Sequence, residues 1–285
     1  MAKRPVFVSI SRPPFFRQYD VEFTYNQGLS TAQKQRNVEA IHQAFLGFSP
    51  GKNPLEISSK SKNPLGVSLS AFNLKKYIPS LDKEISVENA YQGGKKFLCG
   101  GPYTDLYELS PKEAKRDERL KFSGPMTAYV FEGVEYPTEP RNGFYDWLYV
   151  QALLENPELG EELQGFNSFT DIEFNPNKSI NCQARAAAIF VGMTKAGVLG
   201  AARDFHEFCR MITGKSSVAL PTEAAQPMKT VSAPTSAVTF SEGQVVRHPT
   251  FGEGRILSVN GGTLKILFPC GEKNLGAKWV SEKCK

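Results

Sequence analysis

Histidine is nearly absent from this chain, with three in 285 residues. The five cysteines (Cys99, Cys182, Cys209, Cys270, Cys284) are odd in number, irregularly spaced and without a C-x-x-C pair. That pattern argues against a disulfide framework and against a zinc site, and it fits a reducing cytosol. No metal and no cofactor are therefore expected. Long apolar runs are missing too: nothing approaches the roughly 18 residues that a membrane span needs. Met1-Ala2-Lys3-Arg4-Pro5 runs straight into Val6-Phe7-Val8-Ser9-Ile10, without the apolar core of a signal peptide. The expectation is a cytoplasmic protein that does not touch membranes. Charge of one sign is not in great excess either. A net charge of +5 permits nucleic-acid contact without demanding it.

What remains is an ordinary globular composition, 40% hydrophobic and 22% charged, long enough for one large domain and a small one. Residues 6–10 and 21–25 alternate as strands, and Ser30 or Thr31 caps a helix to about Phe45 with Val38, Ile41, Ala44 and Phe45 inward. His42 lies near that stripe and reads as a structural histidine. Residues 111–121 carry charge of both signs, the pattern of a solvated helix face or a DNA-facing one. Residues 128–131 and 134–136 form a hairpin around Glu132-Gly133. Helices follow over about 142–154, 183–193 and 198–213, with strand-like 169–174 between the first two.

The stretch with most chemistry is Ser86-Val87-Glu88-Asn89-Ala90-Tyr91-Gln92-Gly93-Gly94-Lys95-Lys96-Phe97. Ser86 is a good N-cap, and a helix over 86–98 sets Glu88, Tyr91, Gln92 and Lys95 at i, i+3, i+4 and i+7, all on one face. Two glycines in mid-helix cost roughly 0.8–1 kcal/mol each relative to alanine, tolerable where something approaches the backbone closely. Glu88 sits in the first turn, where the helix dipole favours its ionised form. A plain amphipathic helix with a solvated polar face has the same pattern. Upstream, Ser58-Ser59-Lys60-Ser61 offers hydroxyls, amides and an ammonium, the donors that a pyrophosphate takes, and Ser59, Lys60 and Ser61 are candidates for it. Arg185 lies in an almost wholly apolar helix and needs a partner, for which a phosphate and Glu173 are the candidates.

Ser86–Phe97 resembles the hallmark helix of the NADAR (YbiA-like) family, whose members cleave N-glycosidic bonds to ribose. With Glu56-Ile57-Ser58-Ser59-Lys60-Ser61, Leu69-Ser70-Ala71-Phe72-Asn73-Leu74 and Phe144-Tyr145-Asp146-Trp147-Leu148, the chain from about 5 to 213 is most similar to the NADAR antitoxins paired with DarT-type DNA ADP-ribosyltransferase toxins. The resemblance implies an α+β fold, mainly helical with a few short strands. It implies an N-glycosidase that removes ADP-ribose from guanine in DNA, with a DarT-like toxin as functional partner. Glu88 and Lys95 are then the catalytic candidates. Ser59, Lys60, Ser61, Asn73, Tyr91, Gln92, Trp147, Asn181 and Arg185 are the candidates for holding ADP-ribose. Many family members carry an E-x-x-x-x-D-x-x-W-G loop after the 169–174 strand. Here Glu173 fits the first acid, but the Asp and the Trp-Gly are absent. A YbiA-like glycosidase on small phosphoribosyl metabolites and a non-catalytic ADP-ribose reader are the alternatives.

Residues 215–239 are dominated by Ser, Thr, Ala, Pro and Gln and read as a flexible linker between a domain over 1–214 and a second over 240–285. In the second, strands 255–259 and 263–268 flank Asn260-Gly261-Gly262, and Trp279-Val280 offers another strand. Val246-Arg247-His248-Pro249-Thr250-Phe251-Gly252-Glu253-Gly254-Arg255-Ile256 resembles the Tudor-like module of UvrD/PcrA helicases. That implies a small SH3-like barrel that docks protein or nucleic acid.

Overall fold

The computed structural model describes residues 1–176, 181–214, 240–248, 252–260, 262–268, 271–276 and 281–282. Two compact units divide the chain: 1–95 with 102–116 and 128–218, and 96–101 with 117–127 and 219–285.

The first unit is built on a four-stranded sheet. β1 (Ala2–Ser9) pairs antiparallel with β2 (Phe16–Phe23) along its whole length, from Ala2 opposite Phe23 to Ser9 opposite Phe16. α1 (Thr31–Phe48) starts at the Ser30 cap and lays Val38, Ile41 and Phe45 on Val6, Val8, Val21 and Phe23. β3 (Pro54–Glu56) and β9 (Ser168–Thr170) complete the sheet in the order β2-β1-β9-β3, with β3 and β9 parallel. Burial of both faces of β1 explains its run Pro5-Val6-Phe7-Val8, in which hydrophobic residues do not alternate with polar ones.

Between β3 and β9 the chain folds through α2 (Pro64–Ser68), β4 (Lys75–Ile78), β5 (Lys83–Ser86), α3 (Val87–Gly93) and β6 (Lys95–Phe97). Short helices α4 (Pro111–Ala114) and α5 (Arg119–Phe122) follow, then the hairpin of β7 (Met126–Phe131) and β8 (Val134–Tyr136). Its turn sets Glu132 at φ 50° and Gly133 at φ 75°, the two positive angles that a two-residue hairpin turn requires. α6 (Gly143–Glu155) and α7 (Pro157–Leu163) precede β9, and α8 (Gln183–Lys195) packs on β1, β9 and α6. α9 (Phe205–Thr213) buries Phe205, Phe208, Cys209 and Ile212 and ends at Gly214.

Several expectations change. The unit is a mixed α and β structure rather than a mainly helical one. β1 and β2 are eight residues each, and the outer part of β2 is polar because it lies at a sheet edge, so it carries no alternation. The charged helix over 111–121 is two short helices, and 198–213 is a 3-10 turn (Leu199–Arg203) followed by α9. The strand read over 169–174 stops at Thr170. The central helix does not run to 98. It stops at Gly93, with Gly94 as its cap, and Lys95 begins a strand.

In the second unit, Leu98 N–H donates to the Pro125 carbonyl and Cys99 N–H to that of Ser123. Its C-terminal sheet has five strands in the order β13-β12-β11-β10-β14: β10 (Val245–His248), β11 (Gly252–Asn260), β12 (Thr263–Phe268), β13 (Gly271–Gly276) and β14 (Ser281–Glu282). The expected β11–β12 hairpin is present. One face buries Val246, Ile256, Leu264, Ile266 and Phe268, and a Cβ at Gly254 would come within 2.5 Å of the Phe268 ring. The expected closed barrel is not formed among the described residues. β13 and β14 are the sheet's edges, and two-residue β14 reaches only β10. The Trp279-Val280 strand and the linker 215–239 lie outside the described residues.

Candidate functional site

Every residue of α3 is buried, so this helix has no solvated face. Ser86 caps it by accepting the Asn89 N–H at 3.0 Å. Asn89 then donates through Nδ2 to the carbonyls of Leu106 (2.7 Å) and Leu109 (2.9 Å), which docks the segment 102–116 on the helix. The glycines serve the same docking. A Cβ at Gly93 would fall 2.4 Å from the Tyr107 ring, and one at Gly94 2.9 Å from the Val130 carbonyl oxygen. What approaches the backbone here is the protein itself.

On this scaffold the four residues expected on one helix face meet by a different route. Glu88, 4% exposed, accepts from Gln92 Nε2 at 2.8 Å through Oε1. Gln92 Oε1 in turn accepts from Lys95 Nζ at 2.7 Å, and that ammonium stands 4.5 Å from the centroid of the Tyr91 ring. Burial lowers the Lys95 pKa to about 8; the Glu88 charge opposes this and the Lys115 charge adds to it. Tyr91 is fixed through its hydroxyl, which is 3.1 Å from that of Tyr129 and accepts from Asn181 Nδ2, and its ring stands edge-on to Tyr145.

Lys115, part of the stretch read as a solvated or DNA-facing surface, belongs to this group. Its Nζ is 3.3 Å from Glu88 Oε1 and 5.3 Å from the centroid of the Phe72 ring. Nothing in the local pattern distinguished it from Lys112 or Arg116. Asn89, also missed, is a carboxamide on a helix whose residues are all buried, and a buried carboxamide needs a partner.

Gln183, at the start of α8, ties the remaining pieces together. Its Nε2 donates to the Ile57 carbonyl at 2.6 Å and its Oε1 accepts the Ala71 N–H at 2.7 Å, while the Ala71 carbonyl accepts the Glu88 N–H at 2.9 Å. The loop after β3, the 69–73 segment and α3 thus share one framework. Within the loop, Ser59 is exposed, Lys60 is half-buried, and Ser61 is buried with its Oγ accepting the Asn63 N–H at 3.2 Å. Asn73 is exposed and donates to the Val67 carbonyl at 2.9 Å, so it stabilises its own turn.

Two other candidates are engaged elsewhere. Trp147 is buried against Tyr136, Phe144 and Phe205, and its indole N–H donates to the Ala202 carbonyl at 2.9 Å. Of the two partners expected for Arg185, Glu173 is not the one that holds it. Arg185 pairs with the fully buried Asp146 and lies 5.3 Å from the Phe16 ring, while Glu173 is exposed and pairs with Lys34 at 3.4 Å. Burial lifts the Asp146 pKa to about 6 against the pull of Arg185. The acid buried inside α6 and the base near the start of α8 partner each other.

Beside the site, buried Glu56 accepts from Thr170 Oγ1 (2.6 Å), Ser58 Oγ (2.7 Å) and the Ile172 N–H (2.8 Å). Thr170 spends its hydroxyl hydrogen on Glu56, so His42 Nε2, 2.8 Å away, is the donor to Thr170 and carries the proton. Burial lowers the His42 pKa to about 4, which makes it the structural histidine expected. Asp171, next in the chain, is held well above the usual carboxylate range by burial and by the Glu56 charge. Among the described residues no group of three or more His, Cys, Asp or Glu converges as a metal site would require.

The fold and site define an α+β protein with a carboxylate, a carboxamide and a half-buried amine linked in series beside two tyrosines joined through their hydroxyls. The chain belongs to the DarT1-associated NADAR antitoxins, whose family model matches residues 2–220. No curated protein matches it. No helix among the described residues is long and apolar enough to cross a membrane.

Proposed function

We propose that this protein is an N-glycosidase that releases ADP-ribose from guanine bases in DNA, and that it thereby acts as antitoxin to a DNA ADP-ribosyltransferase toxin of the DarT type. The observation that carries the reading is the Glu88–Gln92–Lys95 series, in which burial brings an amine to a pKa of about 8 beside a buried carboxylate. Membership of an antitoxin family supplies the biological setting.

Breaking a ribosyl–nitrogen bond requires stabilisation of positive charge at the anomeric carbon, a nucleophile there and a proton for the departing amine. Glu88 is suited to the first task, steadying that charge or holding ribose hydroxyls. Lys95 in its free-base form is suited to the second. Its nitrogen bonds to C1″ as the bond from C1″ to the exocyclic nitrogen of guanine breaks, and the proton lost by the new ammonium is taken up by the departing nitrogen. The resulting glycosylamine opens to an imine. Water adds to the imine, ADP-ribose leaves and the lysine amine is restored. Gln92 holds the amine through its carboxamide oxygen, and Tyr91 closes one side of it with a ring face.

The test is incubation of the full chain with a DNA oligonucleotide bearing ADP-ribose on guanine, following free ADP-ribose and restored DNA by gel and mass spectrometry. Release by the wild type and none by Glu88→Ala or Lys95→Ala is the expected result. Tight binding of ADP-ribose without release would make the protein a reader. Absence of both would direct attention to small phosphoribosyl compounds.

A further inference from the structure

Lys115 has no task in the reaction just outlined, yet its environment is built with care. Ser110 and Glu113 form a reciprocal capping box at the start of α4, Pro111 opens that helix, and Ala114 is fully buried. The two Asn89 bonds fix the chain leading into it. Lys115 follows α4 as its C-cap, with its ammonium against Glu88 in the first turn of α3 and Phe72 beside it. It pairs with the same Glu88 oxygen that accepts from Gln92, so Lys115, Glu88, Gln92 and Lys95 form one continuous line of charge and hydrogen bonds.

We propose that Lys115 is a positioning residue, which occupies Glu88 from the far side and so keeps that carboxylate from holding Lys95 as a fixed ammonium. A buried carboxylate near an amine favours the charged amine, and a second cation on the carboxylate cancels much of that effect while adding repulsion of its own. Among the described residues, the groups that act on Lys95 are Glu88 and Tyr91 from α3 and Lys115 after α4, with Tyr129 of β7 bonded to Tyr91 behind them. Asp171 acts on Lys115 from the turn after β9. Burial and Lys115 push Lys95 toward the free base, and Glu88 is the opposing charge. Removal of Lys115 thus leaves Glu88 to act on Lys95 alone. The consequence for turnover rests on the N-glycosidase reading; the titration of Lys95 does not.

The experiment reads that titration without substrate. The full chain is labelled with trace acetic anhydride across pH 6.5 to 11, and Lys95 acetylation is quantified by mass spectrometry in wild type, Lys115→Met and Lys115→Arg. The expected result is a midpoint raised by about half a unit to one unit in Lys115→Met, a roughly three- to tenfold loss of free base at pH 7, and a wild-type midpoint in Lys115→Arg. Lys115→Gln is a second neutral variant should Lys115→Met fold poorly. Release of ADP-ribose should fall by the same factor at pH 7 and recover near pH 10. A Lys95 midpoint unmoved by the neutral variants overturns the proposal, including where KM rises, since Lys115 would then be a phosphate contact. A moved midpoint in a protein without glycosidase activity supports it and rejects the enzymatic reading instead.

Discussion

If Lys95 acts as a free amine, the rate of release must follow its ionisation. With a pKa of about 8, Lys95 is the free base in only one molecule in about ten at pH 7, one in about a hundred at pH 6 and nine in about ten at pH 9. Single-turnover release from an ADP-ribosylated oligonucleotide should accordingly rise by roughly tenfold per pH unit below 8, then level off, for a span of about a hundredfold between pH 6 and 9. The origin of the midpoint is burial, so a variant that admits water should move it back toward the ordinary lysine value and shift the whole limb to higher pH. Gln92→Ser serves this purpose, since it removes the carboxamide between Glu88 and Lys95 and leaves room for solvent. The assay is rapid quench at enzyme excess, with DNA integrity checked at each pH. A profile flat from pH 6 to 9, with KM alone affected in Lys95→Ala, would refute the nucleophilic amine and leave Lys95 as a cation that binds phosphate. The same shift has a stability consequence: Lys95 is easier to deprotonate folded than unfolded, so this residue favours the folded state increasingly as pH rises from about 8 toward the unfolded value.

Two further outcomes are expected. Asp146→Ala should cost about 3 kcal/mol in urea unfolding, because the Arg185 guanidinium loses the partner that compensates its burial; a loss below about 1 kcal/mol would mean the pair is dispensable. In the wild type Asp146 binds its proton more tightly folded than unfolded, so its contribution to stability is full below about pH 4 and is lost as pH rises through about 6. Trp147→Phe removes the indole bond to Ala202 and should lower stability by about 1 kcal/mol while KM for ADP-ribosylated DNA stays put; a raised KM at unchanged stability would put the indole against the ligand.

Much of the architecture was legible from local chemistry. Caps at Ser30 and Ser86, the breaker Gly214, the positive-φ turn at Glu132-Gly133 and the apolar run of α8 each state their element in a few adjacent residues. The site was legible in part for the same reason: Glu88, Tyr91, Gln92 and Lys95 sit within eight positions, so almost any compact path brings them near one another. Their geometry was not. An ideal helix through Gly93-Gly94 would have carried Lys95 two turns along from Glu88, but Tyr107 and the Val130 carbonyl occupy the space beside those glycines, and the helix ends there.

Relations between distant segments were beyond reach of spacing alone. Lys115 against Glu88, Asp146 against Arg185, and Gln183 between Ile57 and Ala71 join residues that are 27, 39 and more than a hundred positions apart. Each followed from a buried polar group that had to find a partner, a requirement the sequence states without naming who meets it. The elements and the stretch that carries the chemistry could be read along the chain, because caps, turns and hydrophobic period act over a few residues. How far Lys95 is buried and which charges share Glu88 emerged from the packing of distant segments, because desolvation and charge interactions depend on everything around a group and not on its neighbours in the chain.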